Sequence, residues 1–159
     1  MFMGMSPDTS SFDEPRLELS RHAARSYKAM LALDGSITLD SSLRDLISVR
    51  ASILNGCAYC VDMHTLDARA RGETEQRLYA VAAWHEAPFF SERERAALLL
   101  TDAMTLLAES HVPKDVFDAA REHFDDEALT QLIWAITVIN AWNRLAVATR
   151  MRPGQYQPA

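Results

Sequence analysis

The chain has 159 residues, which is enough for one domain, since a domain averages about 150 residues. Hydrophobic residues make up 48% and charged residues 24% of it, the composition of an ordinary globular protein. Sixteen basic residues against 22 acidic ones give a formal charge of −6. This charge argues against a nucleic-acid partner, because such affinity comes chiefly from Lys and Arg on phosphates.

The sequence also lacks the usual marks of membrane insertion or export. No apolar run approaches the ~18 residues of a membrane span. The N-terminal segment carries Asp8, Asp13 and Glu14 where a signal peptide has a basic flank. We therefore expect a cytoplasmic protein with no membrane partner.

Composition favours helix throughout the chain. Ala and Leu together number 42, whereas the β-branched Ile and Val number 13, and unbranched side chains lose little rotamer freedom in a helix. Between Pro15 and Pro88 the helix breakers are three glycines, and they divide this half into helix-sized pieces. The helices predicted there span residues 16–33, 39–54, 57–71 and 74–84.

The second half continues as helices. The pair Ser91 and Glu94 has the spacing of a capping box and predicts a helix that runs to about residue 110. Pro113 suits the first turn of the next helix, which we expect to end near residue 124. An aspartate at 125 or 126 can cap a last helix through residue 150.

No segment alternates polar and apolar residues for long enough to predict a strand. The sequence therefore predicts an all-α protein, a bundle of about six to seven helices. The predicted divisions are a flexible N-terminal segment at 1–14, a single helical domain at 15–152 and a C-terminal tail at 153–159.

Two closely spaced cysteines stand in the most informative stretch, NGCAYCVDMH at residues 55–64. Gly56 supplies a left-handed residue between two helices, and the short Asn55 side chain can cap the second. Cys57 and Cys60 then fall in the first turn of that helix, with His64 on the same face. A helix start stabilises a thiolate, a nearby imidazole can take the thiol proton, and the two sulfurs can close a disulfide.

Other interpretations of this pair remain open. A zinc site could use both cysteines and His64, with a remote fourth ligand, but zinc prefers four ligands and a second C-x-x-C is absent. The candidates for that fourth ligand are His22, His85, His111 and His123. The cysteines could also be small core hydrophobes. Val61 stands where a c-type haem motif has its histidine, so we expect no haem, and no other cofactor is implied.

At this point the residues resemble a family, the AhpD-like alkylhydroperoxidases within the carboxymuconolactone decarboxylase superfamily. The resemblance covers most of the chain from about residue 15 to residue 156. It is carried by Asp45, Ser52, Asn55-Gly56-Cys57, Tyr59-Cys60, Asp62-Met63-His64-Thr65, Ala68-Arg69 with Gly72, Trp84-His85-Glu86-Ala87-Pro88, Glu94-Arg95-Ala96-Ala97-Leu98 and Asn140-Ala141-Trp142-Asn143-Arg144.

The resemblance implies an all-helical fold that assembles as trimers or hexamers and reduces peroxides with paired thiols. It gives Cys60 the role of attacking the peroxide, Cys57 the role of resolving, and His64 a place in the proton relay. The family relay begins with a Glu twelve residues before the first cysteine, where this chain has Asp45, one methylene shorter. Water could bridge Asp45 to His64, or Asp45 could be a solvated or capping residue.

Two further groups of residues have several interpretations. Trp84, Trp134 and Trp142 could line a substrate pocket, although tryptophans at helical spacing more often belong to a core or an interface. Asn140, Asn143 and Arg144 form a polar cluster on an otherwise apolar last helix. They could cap a site, line a subunit interface or satisfy buried backbone groups.

The hypothesis that follows is a thiol-dependent hydroperoxide reductase, with a hydroperoxide as substrate and an external dithiol as reductant. A general thiol–disulfide oxidoreductase would use the same residues on another substrate. A non-enzymatic helical oligomer that senses redox state or binds zinc is the alternative from a different class.

Overall fold

A computed structural model describes residues 14–158 of the chain, so the predicted flexible segment lies outside the described residues except for Glu14. The all-α prediction is confirmed, because 72% of these residues are helical and none is in a strand. A short 3₁₀ turn spans Val81–Ala83. The α-helices are α1 Leu19–His22, α2 Ala24–Gly35, α3 Ser41–Leu54, α4 Ala58–Ala70, α5 Glu75–Ala80, α6 Glu92–Thr105, α7 Leu107–Ser110, α8 Lys114–His123 and α9 Asp126–Thr149.

The described chain has two more helices than the seven segments predicted, because two of those segments are interrupted. The first breaks at Ala23, whose backbone φ of −140° lies outside the helical region. The other breaks at Leu106, with φ −92° and ψ 42°, which separates α6 from α7. The Ser110 hydroxyl donates to the Ala103 carbonyl over 2.6 Å across this break, so a side chain satisfies one of the freed carbonyls.

The predicted helix starts are largely correct. Both halves of the capping box between Ser91 and Glu94 are present at the start of α6. Asp125 accepts a hydrogen bond from the Ala128 N–H over 2.8 Å and caps α9. Pro113 is the residue before α8, and not in its first turn.

Helix α3 runs through the middle of the core and contributes to two apolar clusters. Leu43 and Ile47 pack in a cluster with α9 and α8. Leu46 and Val49 pack in a second cluster, with Trp84 and Leu98 among its members. All four α3 side chains are at most 2% exposed, and full burial of one such side chain stabilises a fold by about 1.5–3 kcal/mol. This burial fixes the C-terminal end of α3, where the cysteine turn begins.

Helix α9 is long and apolar enough to cross a membrane by length and composition. Half of its apolar stretch is nevertheless buried against the rest of the protein, and the core helix of a folded domain meets the same criterion. It packs on α3, α4, α6 and α8, and so forms one wall of the site described next.

The C-terminal tail, described as far as residue 158, lies against α4. The Gly154 N–H donates to Asp62 over 2.7 Å, and the Tyr156 hydroxyl donates to Asp67 over 2.7 Å. Two aspartates one and a half turns apart on α4 therefore hold this segment.

Candidate active site

The turn between α3 and α4 places the first cysteine at a helix start. Gly56 has a φ of +64°, in the left-handed region that glycine adopts without steric cost. The Cys57 N–H then donates to the Ser52 carbonyl over 2.9 Å. Cys57 is the residue that caps α4, and its Sγ accepts the Cys60 N–H at 3.3 Å. The expectation that Asn55 caps α4 is wrong, because its side chain points to α9.

Asn55 is held by the polar cluster of the last helix. Its side-chain amide donates to the side-chain oxygens of Asn140 and Asn143, each over 2.9 Å. Asn143 in turn donates to the Ser52 hydroxyl over 3.0 Å, and Arg144 donates to the side chain and carbonyl of Asn140. Because every member of a buried polar network must be satisfied, this cluster fixes the turn that presents Cys57.

The two cysteines form a disulfide in the structure, with their Cα atoms 5.3 Å apart. They are only 1% and 2% exposed and pack against Ala146 of α9. The sequence spacing had allowed such a bond, and the structure contains it. A buried disulfide at a helix start can be reached only by a molecule that enters from a neighbouring space.

That space is a cavity of about 420 Å³ between α2, α3, α4 and α9, a volume typical of small-molecule sites. Cys60 lines it, whereas Cys57 does not. Among the residues of its wall, Tyr27 and Trp142 meet edge to face with ring centres 5.7 Å apart. The charged and polar side chains of the wall include Asp34, Arg44, Asp45, Ser48, Tyr59, His64, Asp67 and Arg71.

His64 lies one turn after Cys60 on α4 and is partly buried. Burial lowers its pKa from 6.5 to about 4, because a buried imidazolium loses its solvation; Asp67 opposes this change, and Arg44 and Arg71 add to it. The imidazole is therefore neutral near pH 7 and able to accept a proton. This is the state that proton removal from a thiol requires.

Asp45 lies on the same cavity wall but is held by an arginine. Arg71 donates to both of its carboxylate oxygens, over 2.9 and 2.5 Å. Burial raises the pKa of Asp45, and the hydrogen bond and charge of Arg71 oppose that change. Asp45 is 4% exposed and Asp40 caps α3, so Asp45 is neither a solvated surface residue nor a helix cap.

The three tryptophans have three different environments. Trp84 is 3% exposed and belongs to the core, Trp134 is 47% exposed on α9, and Trp142 lines the cavity. The candidate zinc ligands His22, His85, His111 and His123 are all exposed. Within residues 14–158, no three His, Cys, Asp or Glu side chains are grouped closely enough to hold a metal ion.

Sequence reasoning missed two charged residues of the site, Asp67 and Arg71. Asp67 follows His64 by three residues on α4, and Arg71 follows it by seven as the residue that ends the helix. This spacing keeps both on the same side of α4, so the signal was present. Tyr156 was missed as well, and nothing local indicates it, because its partner Asp67 lies 89 residues away in the chain.

Comparison with known proteins identifies the family of this chain. A model of the carboxymuconolactone decarboxylase family matches residues 24–103, half of the chain and the part that contains the cysteine turn. The chain belongs to this family. The uncharacterized protein YdfG of Bacillus subtilis (strain 168) is 46% identical to it over 111 residues, which cover 70% of this chain and 76% of YdfG.

Two solved structures extend the likeness to the AhpD-like branch. ATU0492 of Agrobacterium tumefaciens, a protein of unknown function linked by name to the antioxidant defence protein AhpD, is 38% identical with a TM-score of 0.87. The match covers 90% of this chain and all of ATU0492. An uncharacterized peroxidase-related protein of Ralstonia eutropha JMP134, with an alkylhydroperoxidase AhpD core, is 26% identical with a TM-score of 0.76, over 89% of this chain and 77% of its own. The AhpD-like resemblance is thus confirmed.

Proposed function

We propose that this protein is a thiol-dependent hydroperoxide reductase. The observation that carries the proposal is the buried pair Cys57–Cys60 at the start of α4, with Cys60 and His64 on the wall of one small-molecule cavity. The peroxidase-related protein with the same fold supports it.

The reaction begins with the reduced pair. His64 takes the proton of the Cys60 thiol, and the thiolate attacks the distal oxygen of a hydroperoxide. The O–O bond breaks, the alkoxide leaves with the proton from His64 as an alcohol, and Cys60 becomes a sulfenic acid. The Cys57 thiol then attacks this sulfur, which forms the disulfide and releases water. An external dithiol reduces the disulfide by exchange and is itself oxidised to a disulfide.

Accessibility distinguishes the two cysteines. A hydroperoxide in the cavity meets Cys60, because Cys57 lies outside its lining. Cys57 is the helix cap, and its sulfur already accepts the Cys60 N–H. Free N–H groups at a helix start stabilise a thiolate. This arrangement suits Cys57 as the leaving thiolate when the disulfide is reduced.

Asp45 is the proposed relay carboxylate. It shares the cavity with His64 and approaches it from α3, and water between the two would carry the contact. Arg71 occupies both of its oxygens in the disulfide form. The proposed relay therefore requires that Arg71 release one carboxylate oxygen of Asp45, which can then bind water, when the cysteines are reduced.

We also propose a cytoplasmic homo-oligomer, a trimer or a hexamer. Large apolar side chains on α7 and α9 support it, since Leu107, Trp134 and Val147 are about half exposed and such surface favours subunit contacts. Light scattering on the purified protein measures the assembly.

Consumption of an organic hydroperoxide in the presence of dithiothreitol tests the proposed activity. We expect repeated turnover by the wild type, none by Cys60→Ser, and at least a tenfold loss in His64→Ala. His85→Ala is the matched control, because His85 is exposed and outside the cavity lining, and it should keep wild-type rates. Rapid dithiol oxidation by a small disulfide without peroxide consumption would instead indicate a general thiol–disulfide oxidoreductase. A single oxidation without turnover would indicate a sensor.

A further inference from the structure

Asp67, another carboxylate of the cavity, lies on its wall together with His64. It follows His64 by three residues on α4, so the two side chains share a helix face. The side chain of Asp67 is 19% exposed. Its Oδ1 accepts the Tyr156 hydroxyl over 2.7 Å, and its Oδ2 lies 4.0 Å from Arg71. The Tyr156 hydroxyl thus holds Oδ1 of Asp67, whereas the contact described for Oδ2 is the longer ionic one with Arg71.

The other aspartates of the cavity are more tightly paired. Both oxygens of Asp45 accept hydrogen bonds from Arg71. Asp34 accepts a hydrogen bond from Arg44 over 2.6 Å. A carboxylate paired with a close guanidinium exerts only a weak electrostatic field on a third group, because the two opposite charges nearly cancel at a distance. Asp67 is therefore the cavity carboxylate with the most negative charge available to His64.

We propose that Asp67, held in place by the Tyr156 hydroxyl, stabilises the protonated form of His64 while this imidazole carries the proton taken from Cys60. Asp67 is a positioning residue, because it acts through His64 and not on the peroxide. The inference rests on the proposed function for the step in which His64 is charged. It assigns the C-terminal tail a part in the chemistry, since Tyr156 belongs to that tail.

The charged and titratable groups around His64 agree with this assignment. Helix α4 presents Tyr59 and Asp67, and the residue that ends it is Arg71. Helix α3 presents Arg44 and Asp45, and α2 presents Tyr27 and Asp34, whereas α9 presents apolar side chains. Asp67 raises the pKa of His64, against the larger lowering by burial and the smaller ones by Arg44 and Arg71. Without Asp67, the remaining neighbouring charges are those of Arg44 and Arg71, and both lower the pKa of His64.

The direct test is an NMR titration of the His64 ring in the disulfide form, with His64→Gln used to assign the signal. In Asp67→Asn the pKa of His64 should fall below its wild-type value of about 4, because the imidazolium loses an anion that raises this pKa. Asp67→Glu, which keeps a carboxylate on this helix face, should restore part of the pKa of His64 that Asp67→Asn loses. An unchanged pKa in Asp67→Asn would overturn the inference.

A matched control is available on the same helix. Asp62 also binds the tail, through the Gly154 N–H, but does not line the cavity. Asp62→Asn changes this tail contact and leaves the Tyr156 hydroxyl on Asp67, so the pKa of His64 should stay at its wild-type value, and an equal fall in both variants would contradict a specific role for Asp67. Tyr156→Phe, which removes only the hydroxyl, should lower this pKa by less than Asp67→Asn; no change in Tyr156→Phe would refute the part assigned to the tail.

Turnover separates this inference from the proposed function. Near neutral pH, kcat/KM for the hydroperoxide should fall about tenfold in Asp67→Asn, a part of the ~10²–10⁴-fold that general acid–base assistance contributes, and remain at the wild-type level in Asp62→Asn. Failure of the wild type itself to consume peroxide would refute the proposed function. The titration of His64 uses no peroxide, so it decides the role of Asp67 in either case.

Discussion

Two aspartates inside this molecule are each held by an arginine through two hydrogen bonds, yet their surroundings differ. Asp102 accepts from Arg50 over 2.6 and 2.9 Å and from the Trp84 indole over 3.1 Å. Arg50 also donates to the carbonyl of Ala82 over 3.0 Å. The Arg50 and Asp102 side chains are 10% and 15% exposed, so protein surrounds this pair almost completely.

The pair of Asp45 and Arg71 has the same geometry but borders the cavity. The Asp45 side chain is 6% exposed, while Arg71 is 46% exposed. An ion pair closed by protein joins helices and stays fixed, whereas one that borders a cavity can exchange a partner for water or substrate. Surroundings, and not pairing geometry, therefore separate the structural aspartate from the candidate functional one.

The largest expected effect concerns the closed pair. Arg50→Ala leaves Asp102 without its cation in a nearly dry site, and removal of one partner of a buried pair costs about 3–5 kcal/mol. Urea unfolding should show a loss of this size in the free energy of unfolding. A loss of unfolding free energy no larger than that of Arg71→Ala would contradict the difference between the closed pair and the pair that borders the cavity.

The second effect is a dependence of stability on pH that His64 introduces. Its pKa is about 4 in the folded protein and 6.5 ordinarily, so the unfolded chain binds the proton more readily between these values. Stability should therefore fall by about 2–3 kcal/mol as the pH drops from 6.5 to 4. In His64→Gln this contribution should be absent from the unfolding curves. In His85→Gln, which changes an exposed histidine, the pH-dependent contribution should remain. If the two variants show the same dependence of unfolding free energy on pH, His64 is excluded as the source of this contribution.

A smaller effect, in activity, tests the pair that borders the cavity. If Asp45 is the relay, Asp45→Asn should lower peroxide turnover at least tenfold, on the order of 1.4 kcal/mol in the barrier. Asp45→Glu, which restores the residue of the family relay, should keep or raise the rate. Asp34→Asn is the matched control, since Asp34 is an ion-paired aspartate on the same cavity. Wild-type turnover in a folded Asp45→Asn protein would leave His64 as the base without this relay.

The smallest effect is the stability change of Arg71→Ala. Because Arg71 is nearly half exposed and Asp45 borders the cavity, water can take the place of the lost guanidinium, and the loss should be smaller than the loss of about 3–5 kcal/mol expected for a closed pair. Urea unfolding should show a loss below that range. A loss comparable to that of Arg50→Ala would mean that the cavity side of the pair is as dry as the core.

The sequence predicted those parts of the site that depend on local spacing. Cys57, Cys60 and His64 lie within eight residues, so helix geometry alone places them together, and Gly56 marks the turn before them. The same holds for Ser91 and Glu94, whose capping box depends only on neighbouring residues. Local rules of this kind also made the all-α class predictable.

Contacts between distant segments were not predictable in the same way. The partner of Asp45 lies 26 residues away, and the partners of Asn55 lie 85 and 88 residues away. No periodicity in one sequence indicates which long side chain will reach which carboxylate once helices pack. The breaks at Ala23 and Leu106 were missed because Ala and Leu favour helix, so neither residue marks an interruption in the sequence.

We assign the attack on the peroxide to Cys60, on the cavity wall, and the resolving step to Cys57. This assignment can be tested by treating reduced Cys57→Ser and Cys60→Ser proteins with one equivalent of an organic hydroperoxide and trapping sulfenic acid with dimedone. Mass spectrometry should find the adduct on Cys60 in the Cys57→Ser protein and little or none on Cys57 in the Cys60→Ser protein. Equal or faster trapping on Cys57 would contradict the assignment.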